Sequence, residues 1–480
     1  MRRGSLWLGA LVIGAGAAGL LALRSGTPAA PLGAGQEDAD DATFFAHVAP
    51  RRAPRAPAQP RVSPPTASPN VVVIVACTTR RDQLSPYGAS PRITPFLQRL
   101  ADEGTVFDDP IVAAPWTRPA VTALLTGHHA VSLGMVEPEA RRNDRVIPQH
   151  TPTLAQRLQH EGYYTIGVSA NPNVSANFGF HRGFDAYQQG LDAAWGRKAR
   201  GGRVVSAALE TVAAWRAQQA DQPLYLQVVL LDPHMPRPQH PQQERFSADG
   251  APEPISNYRA FVHDLDRALD KLETGLAAHG VTPENTLWSV VTDHGEGLDW
   301  PAHHGPAHGA FVNPSVAHGA WLLRGPGIAR AHRVYGVVSQ VDHSPTLLSL
   351  IGSGDRAEPA DGTDLSTLAR GDGHTSPHRY VFTDTWFQSA NRAAIWSSTH
   401  QCQRDFGSEE PMAGDARFVN GCFNRRADPL HRRPRRHPPD EQVLRRWRSA
   451  MWARYTATRP TDGHVGDELR DQLNALGYEE

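Results

Sequence analysis

A chain of 480 residues can bury at least one large core, and its length suggests about two to three domains. Its 48 lysines and arginines nearly cancel its 49 aspartates and glutamates, leaving a net charge of −1, so whole-chain charge gives no support for a nucleic-acid or membrane-surface partner. Function therefore has to reside in local groups of residues.

In chain order, residues 1–24 open with Met1-Arg2-Arg3, run apolar from Leu6 to Leu23 and close at Arg24, the form of a secretory signal peptide or an uncleaved membrane anchor. The run lies at the lower edge of the roughly 17–25 residues that span a bilayer, so both forms stay open. Either implies export, to the periplasm or cell exterior, with a possible membrane tether. The stretch 25–69 is rich in Pro, Ala, Gly and Arg, lacks periodicity and reads as an extended, solvated linker.

The globular part begins at Asn70. Asn70–Ala76 is almost unbroken Val and Ile, as expected of a strand covered on both faces. A helix follows near 94–103, then the apolar stretch 120–125, entered as a helix from Trp116 and Thr117. Next come a helix at 153–160, strands at 164–170 and 223–231 with a helix at 204–219 between them, a long helix at 257–279, and strands at 286–292 and 320–324. Strands alternating with helices argue for a layered α/β sheet with crossovers over 70–355. Beyond that the pattern weakens. Residues 356–480 read as a smaller C-terminal part with short strands at 379–382 and 393–398 and a helix at 441–456. Its basic run "NRRADPLHRRPRRHPPDEQVLRRWR" is either a solvated surface or a contact for anionic lipid or polysaccharide.

Polar clusters fall where strands of such a sheet should end, which is where ligands bind in open α/β folds. They are Cys77-Thr78; Thr117, in "APWTRPAVTALLTGHH"; Asp232 and His234, in "LLDPHMP"; and Asp293-His294, in "VVTDHGEGL". The last delivers a carboxylate and an imidazole together into a glycine turn, which suits a divalent metal such as Zn, Mn or Ca. His303, His304 and His308 follow in a loop able to ligate metal, bind anions or simply face solvent. Asp232 and Asp299 are candidates to orient histidines. Thr117 at a helix entrance is either an N-cap or a hydroxyl in a field that favours anions. Cys402 and Cys422 are close enough in sequence to close a loop in an oxidising compartment, although three free thiols are equally compatible with the spacing. Cys77 is the odd cysteine.

Over about 70–367 these blocks resemble, in order and approximate spacing, the sulfatase family of the alkaline-phosphatase superfamily. "NVVVIVACTTRRDQLSPYG" is similar to its first metal-binding strand, "TRPAVTALLTG" to its nucleophile motif, and "LDPHMPRPQHP", "VVTDHGEGL", "AHGAF", "LLRGPGI" and "VVSQVDHSPTLLSLIG" to further family blocks. The resemblance implies a large mixed, mostly parallel sheet flanked by helices, with a smaller C-terminal part. It implies metal-dependent hydrolysis or transfer of sulfate or phosphate esters outside the cytoplasm, on a small-molecule, glycan or lipid substrate. It assigns Asp293 and His294 as metal ligands, Thr117 as nucleophile, and His234 and His308 as groups that bind ester oxygens and protonate the leaving group. Cys77 stands where the family has its first metal-binding Asp.

Two departures matter. Thr117 replaces the Cys or Ser that true sulfatases oxidise to formylglycine, and Ala120-Val121 replaces the Ser-Arg that follows it, which argues against chemistry through an aldehyde hydrate. Related phosphoethanolamine and lipoteichoic-acid transferases use a threonine, which keeps phosphoryl transfer open. A thiolate at Cys77 favours Zn over Mn or Ca in a site of Cys77, Thr117, Asp293 and His294. The alternative is a degenerate site without metal, in a sulfatase-fold protein that binds an anionic glycan or lipid headgroup without turnover.

Overall fold

The computed structural model describes residues 68–476, except 137–143, 192–199, 219–221, 248–252, 299–307, 355–359, 389, 408–417, 430, 432, 459–462 and 464. The signal or anchor at 1–24, nearly all of the linker at 25–69, Asp299, His303 and His304 lie outside the described residues. Among the described residues no helix is long and apolar enough to cross a membrane.

Eight strands form the main sheet: β1 (Asn70–Ala76), β2 (Thr105–Ile111), β3 (Tyr164–Ser169), β4 (Ala186–Gln188), β5 (Leu224–Leu230), β6 (Thr286–Thr292), β7 (Trp321–Arg324) and β8 (His332–Ser339), in the order β4-β3-β5-β1-β6-β7-β2-β8. Every neighbouring pair is parallel except those of β7, which runs antiparallel to both β6 and β2. The sheet is thus mixed and mostly parallel, as the resemblance implied. A second, antiparallel sheet lies in the C-terminal part, with β9 (Val381–Phe387), β10 (Ala390–Trp396), β11 (His400–Asp405) and β12 (Gly421–Asn424) in sequential order. The longer helices are α1 (Pro95–Asp102), α2 (Thr117–Thr126), α3 (Leu154–His160), α4 (Gly201–Gln218), α5 (Glu253–Ala277), α6 (His343–Leu350), α7 (Pro438–Ala457) and α8 (Asp467–Ala475).

Strand β1 shows why the site forms where it does. All seven of its residues are buried, and successive side chains alternate between the two faces. Val72, Ile74 and Ala76 pack with Tyr258, Leu265 and Leu269 of α5, while Val71, Val73, Val75 and Cys77 join the core that holds Val121, Leu124 and Leu125 of α2. The two-residue period therefore carries Cys77 onto the face occupied by α2, whose first residue is Thr117.

The C-terminal sheet was only partly visible in the pattern. Strands β11 (HQCQRD) and β12 (GCFN) are too polar and short to read as strands. Gln401, Cys402 and Gln403 of β11 and Cys422 and Phe423 of β12 are nonetheless buried, and Cys402 and Cys422, directly opposite across the two strands, are joined by a disulfide.

Under the sheet, His343 at the start of α6 is fully buried, with Ser289 Oγ 3.0 Å from its Nε2 and the Leu124 carbonyl 3.2 Å from its Nδ1. Both nitrogens are satisfied in one neutral tautomer, with Nδ1–H donating and Nε2 accepting. Burial pushes its pKa down to about 4. Above about pH 6.5 both folded and unfolded chains leave it neutral. Below that the unfolded chain binds a proton the folded one refuses, so stability falls as pH drops through 6.5 towards 4, by up to about 3 kcal/mol. His343→Gln should remove that component from a plot of Tm against pH; an unchanged slope between pH 6.5 and 4 would contradict this reading.

Candidate active site

The strand register places the sequence-selected residues side by side. Ala76 pairs with Thr292, so Cys77 and Asp293 leave adjacent parallel strands at the same level. Ala76 also pairs with Leu230, and β3 runs beside β5, which brings Asn171 and the 231–237 loop to the same edge.

Asp293 is wholly buried. Its Oδ1 accepts two backbone N–H groups, from Thr78 at 2.9 Å and from His294 at 2.7 Å, while its Oδ2 has no hydrogen-bond donor. Thr78 takes up a left-handed backbone conformation, φ 51°, to aim its N–H there, a geometry that costs a threonine about 1–3 kcal/mol. Tyr258 pins this turn, donating its hydroxyl to the Thr78 carbonyl at 2.6 Å and accepting the Arg80 N–H at 2.8 Å.

His294 donates Nδ1–H to the Gly295 carbonyl at 2.8 Å, which leaves the Nε2 lone pair 3.4 Å from Asp293 Oδ2 and 3.3 Å from Thr117 Oγ1. Burial pushes the imidazole pKa down to about 4, so it is neutral at pH 7. A carboxylate oxygen and an imidazole lone pair thus face one another in a buried site with no proton between them. That is the pattern of a cation site, and a backbone carbonyl on the opposite ring nitrogen is the usual way to orient a ligating histidine. With the Cys77 thiol and the Thr117 hydroxyl beside them, the donor set fits a zinc-type ion. Without a cation, burial and then the Asp293 carboxylate push the Cys77 thiol well above its ordinary pKa.

Thr117 is the first residue of α2 and is fully buried. Its Oγ1 accepts from Asn171 Nδ2 at 3.2 Å. The same amide nitrogen points at Cys77 Sγ at 3.6 Å, and Asn171 Oδ1 accepts the Asn173 N–H at 2.9 Å, which fixes the amide orientation. Ala120 and Val121, in place of the family's Ser-Arg, are fully buried in the core.

His234 and His308 stand together, ring centroids 5.0 Å apart, and His308 lies 4.5 Å from the His294 ring. His308 Nδ1 is 3.1 Å from Glu296 Oε1, and Arg237 Nη1 donates to Glu296 Oε2 at 3.0 Å. Burial alone would raise the Glu296 carboxyl, but His308, Arg237 and His234 hold it below the ordinary carboxylate range. The Gly309 turn that presents His308 is tied down by its N–H to the Pro115 carbonyl at 2.9 Å and by the Thr385 hydroxyl of β9.

The six residues to which the resemblance gives a place in the site, Cys77, Thr117, His234, Asp293, His294 and His308, therefore belong to one cluster. Asn171, Arg237 and Glu296 also belong to it and were not singled out. Asp232 Oδ1 accepts the Gly201 N–H at 2.9 Å and so anchors the start of α4.

The chain belongs to the sulfatase family, whose model, described as Sulfatase, matches residues 69–353. It is 32% identical to human arylsulfatase D over 103 residues, 20% of this chain and 17% of that protein. The chain thus matches less than a fifth of the length of human arylsulfatases D and H. A longer match, 25% identity over 366 residues, covers 65% of the chain and 70% of bovine (Bos taurus) arylsulfatase A. Among solved structures, a phosphonate monoester hydrolase of Agrobacterium radiobacter superposes with TM-score 0.59 at 18% identity, covering 83% of this chain and 100% of that one. A protein solved in complex with its substrate D-glucosamine-2-N,6-O-disulfate superposes with TM-score 0.63 at 14% identity, covering 82% and 99%. At these identities the superpositions show the fold alone.

Proposed function

We propose that the protein is a metal-dependent hydrolase or transferase of sulfate or phosphate esters, acting outside the cytoplasm through Thr117, with residues 70–355 as its catalytic domain. The observation that carries this reading is the convergence of Thr117 Oγ1 and His294 Nε2 beside the unsatisfied Asp293 Oδ2 at the carboxyl end of β6. The Cys402–Cys422 disulfide supports export, since such bonds persist in oxidising compartments.

Cys77, Asp293 and His294 would hold the divalent cation, Zn before Mn or Ca, which supplies Lewis acidity towards the ester oxygens and the threonine hydroxyl. Thr117 Oγ attacks sulfur or phosphorus as the bond to the leaving oxygen breaks, and the hydroxyl proton passes to a non-bridging oxygen of the group being transferred, from which it is released to water. Glu296 accepts the Nδ1–H of His308, and in the protonated ring the Nε2–H goes to the leaving oxygen; His234, whose Nδ1 is bound to the Met235 carbonyl, is the second candidate. Water, or an acceptor alcohol, then takes the group from Thr117 and restores the hydroxyl. A small-molecule, glycan or lipid ester fits this chemistry.

A second reading rests on Asn171. Its amide donates to both Thr117 and Cys77, so the buried thiol and hydroxyl already have a partner without a cation, as in a site that binds an anionic glycan or lipid headgroup without turnover. Elemental analysis separates the two. The active reading expects about one zinc per chain that disappears in Cys77→Ala and Asp293→Ala. Absence of metal from the wild type under supplementation, with activity appearing only in Cys77→Asp, would establish the second reading.

A further inference from the structure

The C-terminal part carries a second group of metal-ligand chemistry remote in sequence from the site above. His400 opens β11, His437 is the residue before α7, and Asp440 lies in the first turn of α7. One ligand atom from each of the three lies within 4.8 Å of the others. The strand register brings them together. Cys402 pairs with Cys422 across β11 and β12, Cys422 bridges to Arg435 through backbone bonds of 2.9 and 2.8 Å, and Arg435 is two residues before His437. The disulfide staples that register, holding β11 against the chain segment that leads into α7.

Each of the three residues has a ligand atom left over from its contacts with the rest of the chain. His400 Nδ1 lies 3.0 Å from Thr399 Oγ1, which leaves Nε2 as its donor atom. Asp440 is 4% exposed, and Tyr380 donates its hydroxyl to Oδ1 at 2.9 Å, leaving Oδ2. That Oδ2 faces His437 Nδ1 at 3.3 Å, and the ring nitrogen is buried and makes no hydrogen bond. The two imidazoles stack with centroids 4.7 Å apart. A hydroxyl on one imidazole and a phenol on the carboxylate are the supporting contacts that fix ligands around an ion.

We propose that His400, His437 and Asp440 form a transition-metal site that takes Zn²⁺ or a similar borderline ion. Two imidazoles and one carboxylate with a water in the fourth position is a donor set suited to such ions. Asp440 and Glu441 in the first turn of α7 offset the positive end of the helix, and the nearby Arg435 and Arg436 are exposed, where solvent and salt screen them. The bound ion cross-links β11 to α7 and so closes the C-terminal sheet onto its covering helix. It is independent of the reading of Thr117, since no residue of one group belongs to the other.

The test is titration of the full, metal-stripped chain with Co²⁺, followed by absorption. The C-terminal site contributes d–d bands without a sulfur-to-cobalt charge-transfer band, whereas any ion on Cys77 brings that band with it. His400→Ala and His437→Ala are each expected to remove the sulfur-free component and to reduce the metal-dependent rise in Tm, while Cys77→Ser retains the sulfur-free component. Tyr380→Phe, which keeps the ring in place, is expected to weaken cobalt affinity by about 10–100-fold. His437→Ala with unchanged uptake and spectrum would overturn the site, as would Tyr380→Phe with wild-type affinity.

Discussion

Thr117→Ala is expected to lower kcat by roughly 10⁴-fold or more on any ester the protein turns over, because removing a nucleophile removes the covalent route and leaves only residual stabilisation by the rest of the site. The fold should survive. Thr117 is buried at the first position of α2, and losing its hydroxyl deprives Asn171 Nδ2 of one acceptor, a cost of about 1–3 kcal/mol. Thr117→Ser keeps the oxygen and should retain measurable turnover. The comparison is kcat and Tm of wild type and both variants on a panel of aryl sulfates, phosphates and phosphonates. Wild-type turnover in Thr117→Ala would remove Thr117 from the mechanism.

Glu296→Ala should be the more damaging change to stability. It leaves the Arg237 guanidinium, 6% exposed at its side chain, without its buried carboxylate, and breaking one side of such a pair costs about 3–5 kcal/mol. It also frees the His308 ring that Glu296 holds through Nδ1. Arg237→Ala added to Glu296→Ala should cost less than the sum of the two, because the second change removes the charge the first left stranded. The pH dependence has a definite sign. The folded carboxyl titrates below its ordinary value of 4.5, so its contribution is complete above about pH 4.5 and is lost as pH falls below it. Equal Tm for wild type and Glu296→Ala at pH 7, with the same acid limb, would contradict this account of the pair.

Much of the site was legible because a parallel sheet collects its strand ends at one edge. Reading where each apolar run stops was enough to select Cys77, Asp293 and His234, and the helix entrance supplied Thr117. The same rule reaches Asn171, which follows the end of β3 by two residues in "SANPN", and a closer reading of it would have found that residue. Glu296 stood inside the quoted "VVTDHGEGL" but looked like a turn residue, because what distinguishes it is its pairing with His308 and Arg237, contacts made across 12 and 59 residues of sequence. The C-terminal sheet was the least legible part. Its last two strands, β11 and β12, are short and polar, with no apolar period of their own.

The central claim is that Thr117 carries the ester group covalently. The most direct measurement is rapid acid quench during turnover of the metal-loaded protein on a sulfate or phosphate ester, followed by intact mass and peptide mapping. The account predicts a single sulfuryl or phosphoryl adduct on the peptide containing Thr117, absent from Thr117→Ala. Turnover that proceeds with no adduct in the wild type and at the same rate in Thr117→Ala would contradict it.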